Sequence, residues 1–119
     1  MRYKDFCRIL TVAENTNRKD ALYIEMGACG ISDEDSAQEA LDLIWAMKYA
    51  RINVKHIRKV TQLSQARFAQ KYEIPLSTYE QWEMEKRTPP AYVYRLLAWA
   101  VFSDLYGMST EEKWEYHEE

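Results

Sequence analysis

Side chains that commonly do chemistry are thinly spread in this 119-residue chain. His56 and His117 are the only histidines, and neither has a ligand partner at useful spacing, so both are expected at the solvated surface. Cys7 and Cys29 are the only thiols and form no metal-like motif, so free cysteines are expected. The acids of 33–42 and 111–119 read as solvated helix faces, not paired catalytic carboxylates, and no glycine-rich loop is present to cradle a phosphate. These observations argue against an enzyme and imply no cofactor and no metal.

Charge is more informative. The overall balance is −3, which does not by itself point to nucleic acid. Its distribution is uneven. Residues 1–51 hold seven Lys/Arg against nine Asp/Glu, and residues 89–119 hold two against six. Between them, residues 52–88 hold seven against four, a local net of +3. A local basic stretch makes an electrostatic footprint that the total hides.

The elements that would carry this stretch are helices. The chain is 47% apolar, enough for a core, and has only three Gly and three Pro to interrupt it. No apolar run approaches the roughly 20 residues that span a bilayer, and MRYKDFCRIL is too charged for a signal peptide, so a cytoplasmic protein with no membrane partner is expected. Tyr3, Phe6, Cys7, Leu10 and Ala13 predict a first helix over 3–14. A short helix is expected over 18–26, ending at Gly27, with a strand as the alternative; Gly27 and Gly30 would bracket a turn. Ser32 should cap a helix to about Ala50, striped by Ala37, Ala40, Leu41, Ile44 and Trp45. Leu43 and Met47 widen that stripe beyond one core face, which suggests a protein–protein surface or a central buried helix. Asn53 and Ser64 should cap helices through Val60 and Tyr72, and 76–85 should form another. Thr88 and Pro89 should open a helix bearing Val93, Leu96, Leu97, Ala100 and Val101. Gly107 should end it, before a short acidic helix with a Ser109–Glu112 capping box.

Within this pattern, residues 52–101 resemble the lambda-repressor/Cro-like (XRE-type) helix-turn-helix family. The residues that carry the resemblance are Ile57-Arg58, Leu63-Ser64-Gln65, Phe68-Ala69, Ile74, Ser77-Thr78-Tyr79, Trp82-Glu83 and Lys86-Arg87-Thr88-Pro89, in that order. The resemblance implies an all-α, lambda-repressor-like helix-turn-helix bundle with an N-terminal helical extension. It makes Ala69, Trp82, Glu83 and Arg58 structural, with Arg58 pairing a partly buried Glu83. It implies that Gln65 holds a DNA phosphate and that the helix over 76–85 enters the major groove. Leu76, Ser77, Glu80 and Gln81 would then face the bases, with Glu80 accepting from a cytosine amino group, and Lys86 and Arg87 would meet phosphates. The chain departs from the family at two positions. Glu73 stands where glycine is usual, which implies positive φ at about 1 kcal/mol, and Pro75 replaces a Ser or Thr cap.

The implied function is a sequence-specific transcriptional regulator, a repressor, in one form the antitoxin of a toxin–antitoxin pair (HigA-like). Its partners would be a double-stranded DNA operator, a second copy in a homodimer and, for an antitoxin, a toxin protein. The organisation would be an extension over 1–51 for dimer or partner binding, a DNA-binding domain over 52–106 and an acidic tail helix over 107–119. The alternative is an interaction or inhibitor module of a mobile element that keeps the fold without DNA binding.

Overall fold

The computed structural model describes residues 1–30 and 34–106, and among them every regular element is helical. The order is α1 (Tyr3–Glu14), α2 (Ala21–Ala28), α3 (Glu34–Met47), a 3-10 turn (Lys48–Arg51), α4 (Lys55–Thr61), α5 (Gln65–Lys71), α6 (Leu76–Glu83) and α7 (Ala91–Leu105). The expected tail helix, its Ser109–Glu112 box, the Gly107 stop, His117 and the Ser32 cap lie outside the described residues.

Phe6, Ile9, Leu10 and Ala13 recur at helical spacing and are all fully buried, so α1 lays one stripe on its neighbours. Burying each of the three larger side chains stabilises the fold by about 1.5–3 kcal/mol. α1 packs on α2, α3 and α7; α3 packs on α4 and α7; α4 packs on α7 and α5. One hydrophobic cluster therefore runs from Phe6 through Ile44, Ile57 and Phe68 to Phe102, and the 51/52 boundary falls inside it. α6 packs chiefly on α5, at the margin of this core.

Several expectations change. α2 starts at Ala21 and runs through Gly27, so Gly27 ends nothing; Gly30 is the glycine with positive φ, +84°. No strand forms there. α3 ends at Met47 and tightens into the 3-10 turn, in which the Lys48 ammonium donates to the Thr16 carbonyl at 2.9 Å and sits 3.6 Å above the Trp45 ring. Met47 is fully buried and Leu43 half-buried against the core, so the wide arc of α3 reflects a central helix and Met47 is no partner surface. α6 stops at Glu83, two residues early.

Thr88 does not open α7; Pro90 occupies the cap and the helix begins at Ala91. The physical reason is the second proline, because a residue before proline is disfavoured in the α region and Pro89 precedes Pro90. The buried face of α7 is also turned from the expected one. Tyr94, Leu97, Ala98, Val101 and Phe102 point inward, Leu96 is half exposed, and Val93 and Ala100 are half-buried. α7 is apolar nearly all round, so periodicity alone does not choose its face; its aromatic and ionic partners do. Phe102 and Trp99 meet Phe6 at 5.0 and 5.3 Å between ring centroids. The Glu14 carboxylate, 4% exposed, accepts from the Arg95 guanidinium at 3.0 Å and from the Tyr94 hydroxyl at 2.9 Å. That buried carboxylate ties α1 to α7 and had no signal in the sequence reading.

Candidate nucleic-acid interface

The candidate interface is built around α5 and α6 and the turn between them. Ser64 caps α5: its hydroxyl accepts the Arg67 amide at 3.2 Å. At the other end, the Ile74 amide donates to the Ala69 carbonyl at 2.8 Å and the Glu73 amide to Gln70 at 3.3 Å, with Glu73 at φ +56°. This is a Schellman closure with a glutamate in the left-handed position that glycine usually fills. It satisfies carbonyls at the end of α5 and redirects the chain through Ile74 and Pro75 into α6. α6 closes the same way. The Lys86 amide donates to Gln81 at 2.9 Å, the Glu85 amide to Trp82 at 3.2 Å, and Glu85 has φ +59°. The left-handed residue at Glu85 folds the chain back, so the backbone amides of Lys86 and Arg87 both rest on the Gln81 carbonyl.

Phe68, Ala69 and Tyr79 are buried where the two helices cross, with Leu63, Ile74, Tyr72 and Trp82 packed around them. The Phe68 and Tyr79 rings lie 5.1 Å apart, and the Trp82 ring meets Tyr79 edge-on at 6.1 Å.

Glu83 fixes α6 relative to its neighbours. Its side chain is 6% exposed and takes two hydrogen bonds from Arg58, Nε at 2.6 Å and Nη2 at 2.9 Å, a bidentate pair between α4 and α6. Gln65 Nε2 adds a third at 2.8 Å. Arg58 Nη1 reaches the Leu63 carbonyl at 3.0 Å, and Asn53 Nδ2 donates to the Glu83 carbonyl at 2.9 Å while its Oδ1 accepts the Lys55 amide. Burial alone would raise the Glu83 pKa; the hydrogen bonds it receives, first from Arg58, outweigh burial and hold it below the ordinary value. The same contact raises the Arg58 pKa. The buried Tyr79 hydroxyl lies near this carboxylate without a hydrogen bond of good geometry. Burial first, and then Glu83, push its pKa up.

Arg58 and Glu83 are thus paired as expected. Gln65 makes a contact the sequence did not signal: its amide donates to Glu83, so its side chain braces α5 against α6. Leu76 and Ser77 are exposed on the first turn of α6, and Glu80 and Gln81 are half-buried one turn later, on the side reached by i, i+3 and i+4 steps from Ser77. Lys86 and Arg87 are exposed beyond the helix end. Sequence reasoning missed Asn53 as a brace, and also Lys59 and Arg67, exposed cations of α4 and α5. Their signal was present in the local charge of 52–88. His56, expected in solvent, is half-buried with its ring 5.5 Å from Tyr49; burial, then Lys59 and Lys55, lower its pKa.

Both cysteines are free. Among the described residues, no group of three or more His, Cys, Asp or Glu is placed to hold a metal, and no helix is long and apolar enough to cross a membrane. No family model, curated protein or solved structure matches the chain.

Proposed function

We propose that the chain is a sequence-specific reader of double-stranded DNA, acting as a repressor-type transcriptional regulator through α5 and α6. The observation that carries this reading is the bracing of Glu83 by Arg58, Gln65 and the Asn53 amide. It sets α6 rigidly on α4 and α5 at the edge of the core, with Leu76 and Ser77 outward and Lys86 and Arg87 at its far end. A rigid helix presenting its first turn is what major-groove entry requires. Exposed Lys59, Arg67, Lys86 and Arg87 supply charge for phosphates. Lys86 and Arg87 serve the backbone, whereas Ser77, Glu80 and Gln81 serve base edges and Leu76 a thymine methyl. Gln65 braces α6 with one amide N–H and keeps a second N–H that can donate to a phosphate. Such readers act as homodimers on paired half-sites, and an antitoxin repressing its own operon is one form this function takes.

A second reading is favoured by α6 itself. It carries no Lys or Arg, bears Glu80, and has exposed Leu76 at its start and exposed Met84 just past its end. These features suit a protein groove better than a polyanion. Footprinting of the purified chain on its own promoter, with affinity followed over a salt series, separates the two. A protected site and an affinity that falls steeply with salt are expected. Affinity for no duplex at any salt hands the surface to a protein partner.

A further inference from the structure

The 3-10 turn before α4 and the chain that follows α6 close around a cavity of about 40 Å³. That is room for about three waters. Its walls come from parts of the chain far apart in sequence. Arg51 belongs to the 3-10 turn and Asn53 to the entry of α4, Trp82, Glu85, Arg87 and Thr88 to the end of α6 and the residues after it, and Tyr94 to α7. Both arginines are anchored. Arg51 Nη2 donates to the backbone carbonyl of Glu14 at 3.3 Å, the residue whose carboxylate accepts the Tyr94 hydroxyl. The Arg87 amide rests on the Gln81 carbonyl at 3.3 Å. Neither guanidinium makes an ion pair among the described residues, although Glu85 lines the same cavity. The walls therefore carry two cations against one carboxylate. Neutral donors are in surplus as well. Asn53, 7% exposed, spends one amide N–H on the Glu83 carbonyl and keeps a second. The Trp82 indole N–H and the Thr88 hydroxyl make no hydrogen bond among the described residues.

We propose that this cavity binds a single phosphate group, held between Arg51 and Arg87. Size and donor supply both favour it. Space for about three waters takes one such group and leaves none for a larger body. A carboxylate offers two oxygens, which one guanidinium fork already satisfies. A phosphate offers at least three strong acceptors, enough for two forks and a neutral donor. The group comes from free phosphate or from the backbone of a duplex. The second source rests on the reading of α5 and α6 as a DNA-binding surface, and it adds Arg51, which lies outside those helices, to the residues that hold the duplex. From either source the bound group ties the 3-10 turn to the chain after α6. It thereby fixes the Lys86–Arg87 segment against the first half of the molecule.

The test uses the full chain and the variants Arg51→Gln, Arg51→Lys and Arg87→Gln. Inorganic phosphate, compared with chloride at the same ionic strength, should raise the melting temperature of the parent saturably and shift the Trp82 indole N–H resonance. Each Gln variant should lose about tenfold or more in phosphate affinity, as expected when charge-assisted hydrogen bonds are removed. Arg51→Lys should also bind more weakly, because an ammonium has no fork. Arg87→Gln breaks no side-chain contact among the described residues, so its loss is not a loss of fold. On duplex DNA over a salt series, Arg51→Gln should lower the salt slope by about one. Loss of phosphate affinity with an unchanged slope assigns the cavity to free phosphate, and a lowered slope assigns it to the duplex backbone. The proposal is overturned if Arg51→Gln leaves the slope unchanged and phosphate stabilises the parent no more than chloride does, or stabilises parent and Gln variants alike. If the parent binds no duplex at any salt, the DNA reading falls, and the phosphate titration alone decides the cavity.

Discussion

Glu83 and Glu80 sit one turn apart on α6 and do opposite things. Glu83 is enclosed and paired with Arg58, whose side chain is 22% exposed. Removing either partner leaves the other charge partly buried and unpaired, so Arg58→Ala and Glu83→Ala should each cost about 3–5 kcal/mol. A double replacement by apolar residues should cost clearly less than their sum in a chemical-denaturation cycle; simple additivity would show that the pair is not coupled. The depressed Glu83 pKa gives this pair a pH signature. A carboxyl whose folded pKa lies below its unfolded one adds stability above the unfolded pKa, about 4.3, and that contribution is lost as pH falls through the folded value. Melting temperatures should therefore drop below about pH 4.5. Glu83→Gln should flatten that acid limb while lowering stability at pH 7; an unchanged limb would place the acid sensitivity in another carboxylate. Glu80 tests recognition. Glu80→Ala should hold or tighten binding to random DNA, yet weaken the preferred site by about 1–3 kcal/mol if it reads a cytosine. Lys86→Ala should weaken binding to every sequence alike and lower the salt slope by about one. Affinities that rise equally on all sequences for Glu80→Ala would strip it of a base-reading role.

At the scale of elements, three helix ends among the described residues are closed by residues other than glycine in left-handed conformations, Gln62, Glu73 and Glu85. Glycine adopts this conformation freely, while other residues pay about 1–2 kcal/mol, partly offset by the greater freedom glycine loses on folding. Glu73→Gly should thus stabilise the protein by about 0.5–1 kcal/mol, seen as a rise of a few degrees in melting temperature. A fall would mean that the Glu73 side chain contributes more than its backbone costs. The left-handed Glu73 was legible through the resemblance, which puts a glycine at its position. α5 was legible in part from the residues themselves, because a cap such as Ser64 acts locally. Where sequence reasoning missed, the deciding partner was distant. Gln65 turns inward to a carboxylate eighteen positions on. The face of α7 is chosen by Glu14, about eighty positions back. A local pattern carries neither fact.

At the scale of the molecule, the first three helices are structural partners of the rest. Phe6, Leu41, Ile44 and Met47 share one cluster with Ile57, Val101 and Phe102. Residues 52–119 produced alone should lack half of that core and show no cooperative thermal transition by near-UV circular dichroism. A sharp melt from the fragment would establish an independent domain boundary near 51. The expectation of a self-sufficient binding domain came from the resemblance over 52–101, which says nothing about what covers α4 and α7. The charge of the chain also acts at this scale. Overall it is −3, yet the proposed interface lies in the stretch 52–88, where the balance is +3.

The tie between Glu14 and Arg95 has a consequence during synthesis. The two are separated by 81 positions, so at a ribosomal pace of about 5–20 residues per second the carboxylate waits roughly 4–16 s for its cation. In that interval α1 can meet α2 and α3, which follow it closely, but Glu14 has no cation to hold it in a dry site. The growing chain is therefore held open at the α7 side until Arg95 arrives, and the final docking of α7 works as a late checkpoint that a nascent chain cut short before α7 cannot pass.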